Sequence, residues 1–212
     1  TVGRRGIPYR DWGPHPGQQW IRDQAYAGPY APIKNTYKKS QEGVLTDKSF
    51  WTSGVTANNY TLIRYADLLL WAAEAEVEAG SLENARALVN QIRGRAANPA
   101  GFVKTAGGAN AANYKVGLYT VPWTDKVVAR KAVHFERKLE LGMEGHRFFD
   151  LVRWGEAAAT LNAYLTYEKT KRSYLNGATF TAVNDEYFPI PQAQIDRSVE
   201  GGVSTLKQNP GY

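Results

Sequence analysis

The sequence predicts a mostly α fold in which helix pairs are joined by long irregular loops. Three observations carry this. Apolar residues recur at three- and four-residue spacing over 61–97 and again over 124–167, the stripe of an amphipathic helix. A Gly80-Ser81 step divides the first stretch into two helices of nearly equal length. Turn-forming residues crowd the segments on either side, so strand content should be small.

Residues 1–60 form a loop-rich segment. They hold 12 of the 30 Gly and Pro residues and nine of the 26 aromatics. Pro14-His15-Pro16-Gly17 and Gly28-Pro29-Tyr30-Ala31-Pro32 forbid long helices there. Over 61–97, Leu62, Ala66, Leu69, Ala73 and Val77 make the first stripe, and Gly80 supplies a left-handed terminator. Ser81 then caps a second helix with Leu82, Ala85, Leu88, Val89, Ile92 and Ala96 inward. Glu83, Arg86, Asn90 and Arg93 face the other way. The pair spans about 35 residues, the length of one tetratricopeptide-like unit. Residues 98–123 read as a Gly/Asn/Ala-rich surface insertion. Over 124–167, Thr124 caps a third helix with Val128, Ala132, Phe135 and Leu139 inward, and Gly142 and Gly145 break it. A short aromatic helix through Phe148–Trp154 and another over about 156–167 follow. Residues 168–212 form an extended tail with one helical turn at Ala193-Gln194-Ile195.

The composition excludes several classes. At 212 residues, 43% hydrophobic and 22% charged, the chain is neither disordered nor a rod. No apolar run approaches the roughly 18 residues of a membrane-spanning helix. Cysteine is absent, which removes disulfides, thiolate metal sites and thiol nucleophiles. The net charge of +6 raises nucleic acid as a partner, but the basic residues are dispersed. A nucleic-acid site needs them on one face or along one helix, so none is expected. The start at Thr1-Val2-Gly3-Arg4-Arg5 reads as that of a chain that is mature, trimmed or excised from something longer.

The densest polar cluster is His134, Glu136, Glu140, Glu144 and His146. Glu136 and Glu140 share a helix face at i,i+4, the spacing of an acid/base pair or a carboxylate metal site. Arg130, Arg137, Lys138, Arg147 and Arg153 stand within a few positions, enough to neutralise each carboxylate, and a structural role is the better reading. No metalloprotease helix, nucleophile elbow, phosphate loop or dinucleotide fingerprint is present. No catalytic residue, metal or cofactor is therefore assigned.

Five motifs stand in order along the chain: Asn59-Tyr60-Thr61-Leu62-Ile63-Arg64-Tyr65-Ala66-Asp67-Leu68-Leu69-Leu70; Ala85-Arg86-Ala87-Leu88-Val89-Asn90-Gln91-Ile92-Arg93-Gly94-Arg95-Ala96-Ala97; Glu136-Arg137-Lys138-Leu139-Glu140-Leu141; Glu144-Gly145-His146-Arg147-Phe148-Phe149-Asp150-Leu151-Val152-Arg153-Trp154-Gly155; and Tyr187-Phe188-Pro189-Ile190-Pro191 with Gln208-Asn209-Pro210-Gly211-Tyr212. With them the chain resembles the C-terminal portion of the SusD/RagB family of outer-membrane nutrient-binding lipoproteins. The resemblance implies an α-α superhelix of tetratricopeptide-like pairs, no catalysis, and a place on the extracellular face of the outer membrane. It also implies an oligosaccharide or similar nutrient as ligand and a SusC-like TonB-dependent transporter as partner. Attachment to the membrane would run only through an N-terminal lipid anchor that this chain does not contain. A protein-interaction scaffold of the tetratricopeptide type is the alternative function, and an enzyme the third.

Sugar rings present flat apolar faces rimmed by hydroxyls, so a glycan site needs exposed aromatics beside polar groups. Trp12, Trp20 and Trp51 lie in turn-rich sequence, with Arg5 and Asp11 among the polar candidates. The same tryptophans also suit a mini-core that anchors a segment poor in secondary structure. Phe148, Phe149 and Trp154 are expected as core, Asp150 and Arg153 as an ion pair beside Trp154, and Arg64 and Tyr65 as braces of a helix start.

Overall fold

Helix formation dominates what the chain does after residue 60. The computed structural model describes residues 34, 41, 43–47, 55, 56, 59–105 and 107–212. Among them are six α-helices and two small antiparallel hairpins of two-residue strands. The helices are α1 (Tyr65–Ala79), α2 (Leu82–Ala97), α3 (Lys126–Glu140), α4 (Arg147–Arg153), α5 (Ala157–Glu168) and α6 (Gln192–Arg197). In the first hairpin β1 (Thr46–Asp47) pairs with β2 (Val55–Thr56), in the second β3 (Val199–Glu200) with β4 (Val203–Ser204). No helix among the described residues is long and apolar enough to cross a membrane. The chain divides into two units, Thr1–Glu144 and Gly145–Tyr212.

In the first unit α1, α2 and α3 close on one apolar core. Ala66, Leu70, Ala73 and Val77 of α1 meet Ala85, Val89 and Ile92 of α2, Ala129 and Val133 of α3, and Leu141. The α1 stripe falls at i, i+4, i+7 and i+11, so each turn contributes one buried side chain. Burying Leu70 alone is worth about 1.5–3 kcal/mol. Leu62, expected in that stripe, is exposed because it precedes the helix, and Leu69 is only half-buried. Ala96 is exposed as well, on the last turn of α2.

The α1–α2 turn comes at Gly80-Ser81, but not by a left-handed residue. Gly80 has φ −129° and ψ −131°. What the glycine provides is room: a Cβ there would stand 2.2 Å from Glu76 Oε2. That carboxylate folds over the turn and accepts from Ser81 N at 2.8 Å, while Ser81 Oγ accepts from Asn84 N. Side chain and backbone together satisfy donors that the start of α2 leaves open.

Two further expectations change at α3. Its cap is Asp125, whose Oδ1 accepts from Val127 N at 2.7 Å and Val128 N at 3.0 Å, so the helix begins one residue after Thr124 would have set it. Its buried face is Ala129, Val133, Glu136 and Arg137, while Val128, Phe135 and Leu139 are at least half exposed. The helix is thus turned by about 100°, one residue, from the face that counts only apolar positions. Glu136 and Arg137 can be buried because each meets its opposite charge: Arg93 Nη1 lies 2.7 Å from Glu136 Oε2, and Arg137 Nη1 2.8 Å from Asp67 Oδ1. Burial pushes the Glu136 carboxyl above its ordinary value, with Arg93 opposing.

The second half of the 98–123 insertion lies along the polar face of α2. Asn90 donates to Tyr119 O at 2.9 Å and accepts from Tyr119 N at 2.8 Å, and Arg86 also donates to that carbonyl. Arg93 stacks 4.8 Å over the Tyr119 ring, which meets Trp123 edge-on. Residues that a binary pattern assigns to solvent here hold a strap of chain.

In the second unit, α4 ends in a Schellman motif: Gly155, with φ +69°, donates to Val152 O and Glu156 N to Leu151 O. Asp150 pairs with Arg153, whose guanidinium lies 4.9 Å from the Trp154 ring centroid. Of the three aromatics expected as core, Phe148 and Trp154 are half-buried and Phe149 is exposed, because the buried turn of α4 is Asp150-Leu151 instead. Phe148 sits edge-on to both Phe149 and Phe180. In the tail, Gln208 brackets Ile190, accepting from its N–H at 2.7 Å and donating to its carbonyl at 2.9 Å.

Candidate functional site

The carboxylates of Glu140 and Glu144, at the end of α3, meet the start of α1. Arg64 is the N-cap residue of α1, in extended conformation (φ −131°, ψ 163°), and its carbonyl receives the first helical N–H groups. That conformation frees its side chain to reach across. Nε lies 2.7 Å from Glu144 Oε2, Nη2 lies 2.9 Å from Glu144 Oε1, and Nη1 pairs with Glu140 Oε1. Nη2 also donates to Glu140 O at 2.7 Å, and Lys34 Nζ to Glu140 O at 2.6 Å and Gly142 O at 2.9 Å. Two cations thereby cap the carbonyls that the end of α3 leaves open, at the negative pole of its dipole. Arg95, from the last turn of α2, adds a contact to Glu140 Oε1.

Around this network lies a cleft of about 400 Å³ lined by Lys34, Tyr60, Thr61, Arg64, Arg95, Leu139, Glu140 and Glu144. A second hollow of about 360 Å³ adjoins it across Arg64 and Arg95, with Tyr65, Ala66, Leu69, Gln91 and Ile92 as its other walls. Its floor is apolar. Tyr60 and Tyr65 stand on either side of Arg64 in sequence and are exposed, one in each hollow. The arrangement supplies aromatic surface beside fixed hydrogen-bonding groups.

Proton transfer is not what this geometry favours. Burial alone would raise the Glu144 carboxyl, but the hydrogen bonds and charges of Arg64 and Lys34 outweigh it and hold the group below its ordinary value. Burial alone would lower Arg64, but the Glu144 and Glu140 carboxylates outweigh it and raise the group above its ordinary value. Glu136, the other half of the i,i+4 pair, faces Arg93 and is buried. The charge partners differ from those that proximity in sequence suggests: Glu136, Glu140 and Glu144 pair with Arg93, Arg64, Arg95 and Lys34, while Arg137 is engaged with Asp67 and Arg130 with Glu78. Nearness along a helix loses here to tertiary packing. Among the described residues no group of three or more His, Asp or Glu is placed to hold a metal ion.

Trp12, Trp20, Trp51, Arg5 and Asp11 lie outside the described residues. The two adjoining hollows bring together Tyr60, Arg64, Tyr65 and Arg95, of which the sequence singles out Arg64 and Tyr65 as helix braces. Arg64 does brace the helix start. The missed signal was the pair of tyrosines around one arginine at a helix entry, positions that a core-facing stripe does not use.

A sequence model of the SusD family matches residues 6–212. SusD-like protein P25 of Formosa agariphila is 35% identical over 100 residues, 47% of this chain and 16% of that protein. SusD-like protein P2 of the same organism is 30% identical over 163 residues, 74% of this chain and 26% of that one. Among solved structures, a SusD homolog from Bacteroides thetaiotaomicron aligns with a TM-score of 0.56 at 28% identity, covering 81% of this chain and 30% of that one. The chain thus spans about a sixth to a quarter of the length of these curated relatives.

Proposed function

The chain belongs to the SusD family, and on that premise we propose that it is the ligand-binding part of a non-catalytic protein that captures oligosaccharide at the cell surface. In this reading the saccharide passes to a TonB-dependent outer-membrane transporter of the SusC type. One observation carries the binding role: exposed Tyr60 and Tyr65 rings flank a fixed row of hydrogen-bonding groups in adjoining hollows. A sugar ring needs both, an aromatic face for its C–H groups and donors for its hydroxyls. The ion pairs that occupy Glu140 and Glu144 support a binding role over turnover, since a general acid or base needs a proton it can exchange near neutral pH.

The apolar floor of the second hollow, Ala66, Leu69 and Ile92, favours one other reading, a groove for a peptide side chain. A glycan array and a peptide array probed with the same chain separate the two. Retention of saccharides, weakened when Tyr65 is replaced by Ala, supports glycan capture. Peptide retention with no saccharide response overturns it.

A further inference from the structure

Resting on that glycan reading, we propose that the cleft selects an anionic saccharide, one whose ring carries a carboxylate or a sulfate. Three cations, Lys34, Arg64 and Arg95, face two carboxylates, Glu140 and Glu144. The two signs are layered rather than mixed. The Glu140 and Glu144 side chains are each 10% exposed, whereas those of Arg64, Lys34 and Arg95 are 24%, 35% and 60% exposed. A ligand entering the cleft therefore meets the cations first, and the carboxylates lie beneath them.

The three cations are not equivalent. Arg64 is committed to Glu140 and Glu144 through Nε, Nη1 and Nη2, and Lys34 to the end of α3. Arg95 touches Glu140 through Nη2 while its side chain remains the most exposed of the three. An arginine has five N–H donors in a planar fork, a shape that matches carboxylate and sulfate oxygens in pairs. Such charge-assisted bonds are about twice as strong as neutral ones. Tyr65 lines the hollow that Arg95 also lines, so a ring stacked there would place an acidic substituent within the guanidinium's reach. A neutral sugar offers that guanidinium no second anion beside Glu140.

Isothermal titration of the unmodified chain with oligogalacturonate, a sulfated galactan oligosaccharide and a neutral galacto-oligosaccharide tests this. The expected result is roughly tenfold or greater preference for at least one anionic ligand, as one charge-assisted contact implies. That preference should shrink between about 0.1 M and about 1 M salt, as the Debye length falls from about 10 Å to about 3 Å. Arg95→Gln should collapse it, whereas Lys115→Gln, the same charge change on an exposed loop residue, should not. The carboxylate and sulfate arms tell which anion is read. Equal affinity for neutral and anionic ligands overturns the inference and leaves glycan capture standing. No heat with any saccharide overturns both.

Discussion

Arg137 Nη1 lies 2.8 Å from Asp67 Oδ1, and both side chains are shut away from solvent between α3 and α1. The Arg137 guanidinium also lies 5.9 Å from the Trp71 ring centroid. Two charges brought out of water in this way fix the register of one helix against the other, because a slip by one residue would bury each of them unpaired. Further pairs set the ends: at one, exposed Glu78 is gripped by Arg130 and Lys126, which hold its carboxyl at about 2, and at the other, half-buried Glu144 by Arg64. The antiparallel placement of α1 and α3 follows from these contacts.

Replacing Arg137 with Ala removes the cation from a buried carboxylate. The expected loss is about 3–5 kcal/mol, measured by urea denaturation followed by circular dichroism. The double change Asp67→Leu with Arg137→Met should recover most of it, since an apolar pair of similar size carries no desolvation cost. A loss under about 1 kcal/mol for the single change would mean that the register is set elsewhere.

Glu144 gives the first unit a pH dependence of known sign. Its carboxyl titrates below the ordinary 4.5 when folded, so its contribution is complete above that value and fades as pH falls through the folded one. Glu136 runs the other way, its raised carboxyl favouring the fold as pH falls. Comparison with Glu144→Gln isolates the first effect. The Tm difference between the two proteins should narrow on acidification below pH 4.5. A difference that stays constant contradicts the assignment.

The Gly80-Ser81 turn can be tested through its crowding. Gly80→Ala pushes a methyl group against the Glu76 carboxylate, at an expected cost of about 1–2 kcal/mol. Ser81→Ala should cost about 1 kcal/mol through the lost cap. If the Gly80 effect arises from contact, pairing it with Glu76→Ala should leave a smaller increment than Gly80→Ala causes alone, in a double-mutant cycle. A fully additive pair would place the cause elsewhere.

The α1–α2 hairpin was legible because its stripes are apolar and its turn is marked by Gly-Ser. The face of α3 was not, because Glu136 and Arg137 are buried by partners 43 and 70 residues away, which no local pattern contains. The same reason hid the cleft. Arg64, Glu140 and Glu144 are conspicuous residues, but Arg95 joins them only through the packing of α2 on α1 and α3. Family membership was readable from five ordered motifs, whereas the tryptophans chosen as sugar contacts lie outside the described residues.

In the second unit, Gln208 imitates a strand partner for Ile190, and Asn209 Nδ2 adds a bond of 2.6 Å to Phe188 O. Gln208→Ala should therefore cost about 1–3 kcal/mol, two net hydrogen bonds. Hydrogen exchange should speed at the Ile190 amide specifically. Unchanged protection there would show that the tail is held by other contacts.

The central claim, that Tyr60, Tyr65 and Arg95 frame a glycan site, is tested most directly by amide chemical-shift mapping during titration with a saccharide that the array retains. Shifts concentrated at residues 60–66 and 91–95 are the predicted result, lost together in the Tyr65→Ala chain. Saturable binding with those amides unmoved, and shifts confined to the segment bearing Trp12 and Trp20, would contradict it.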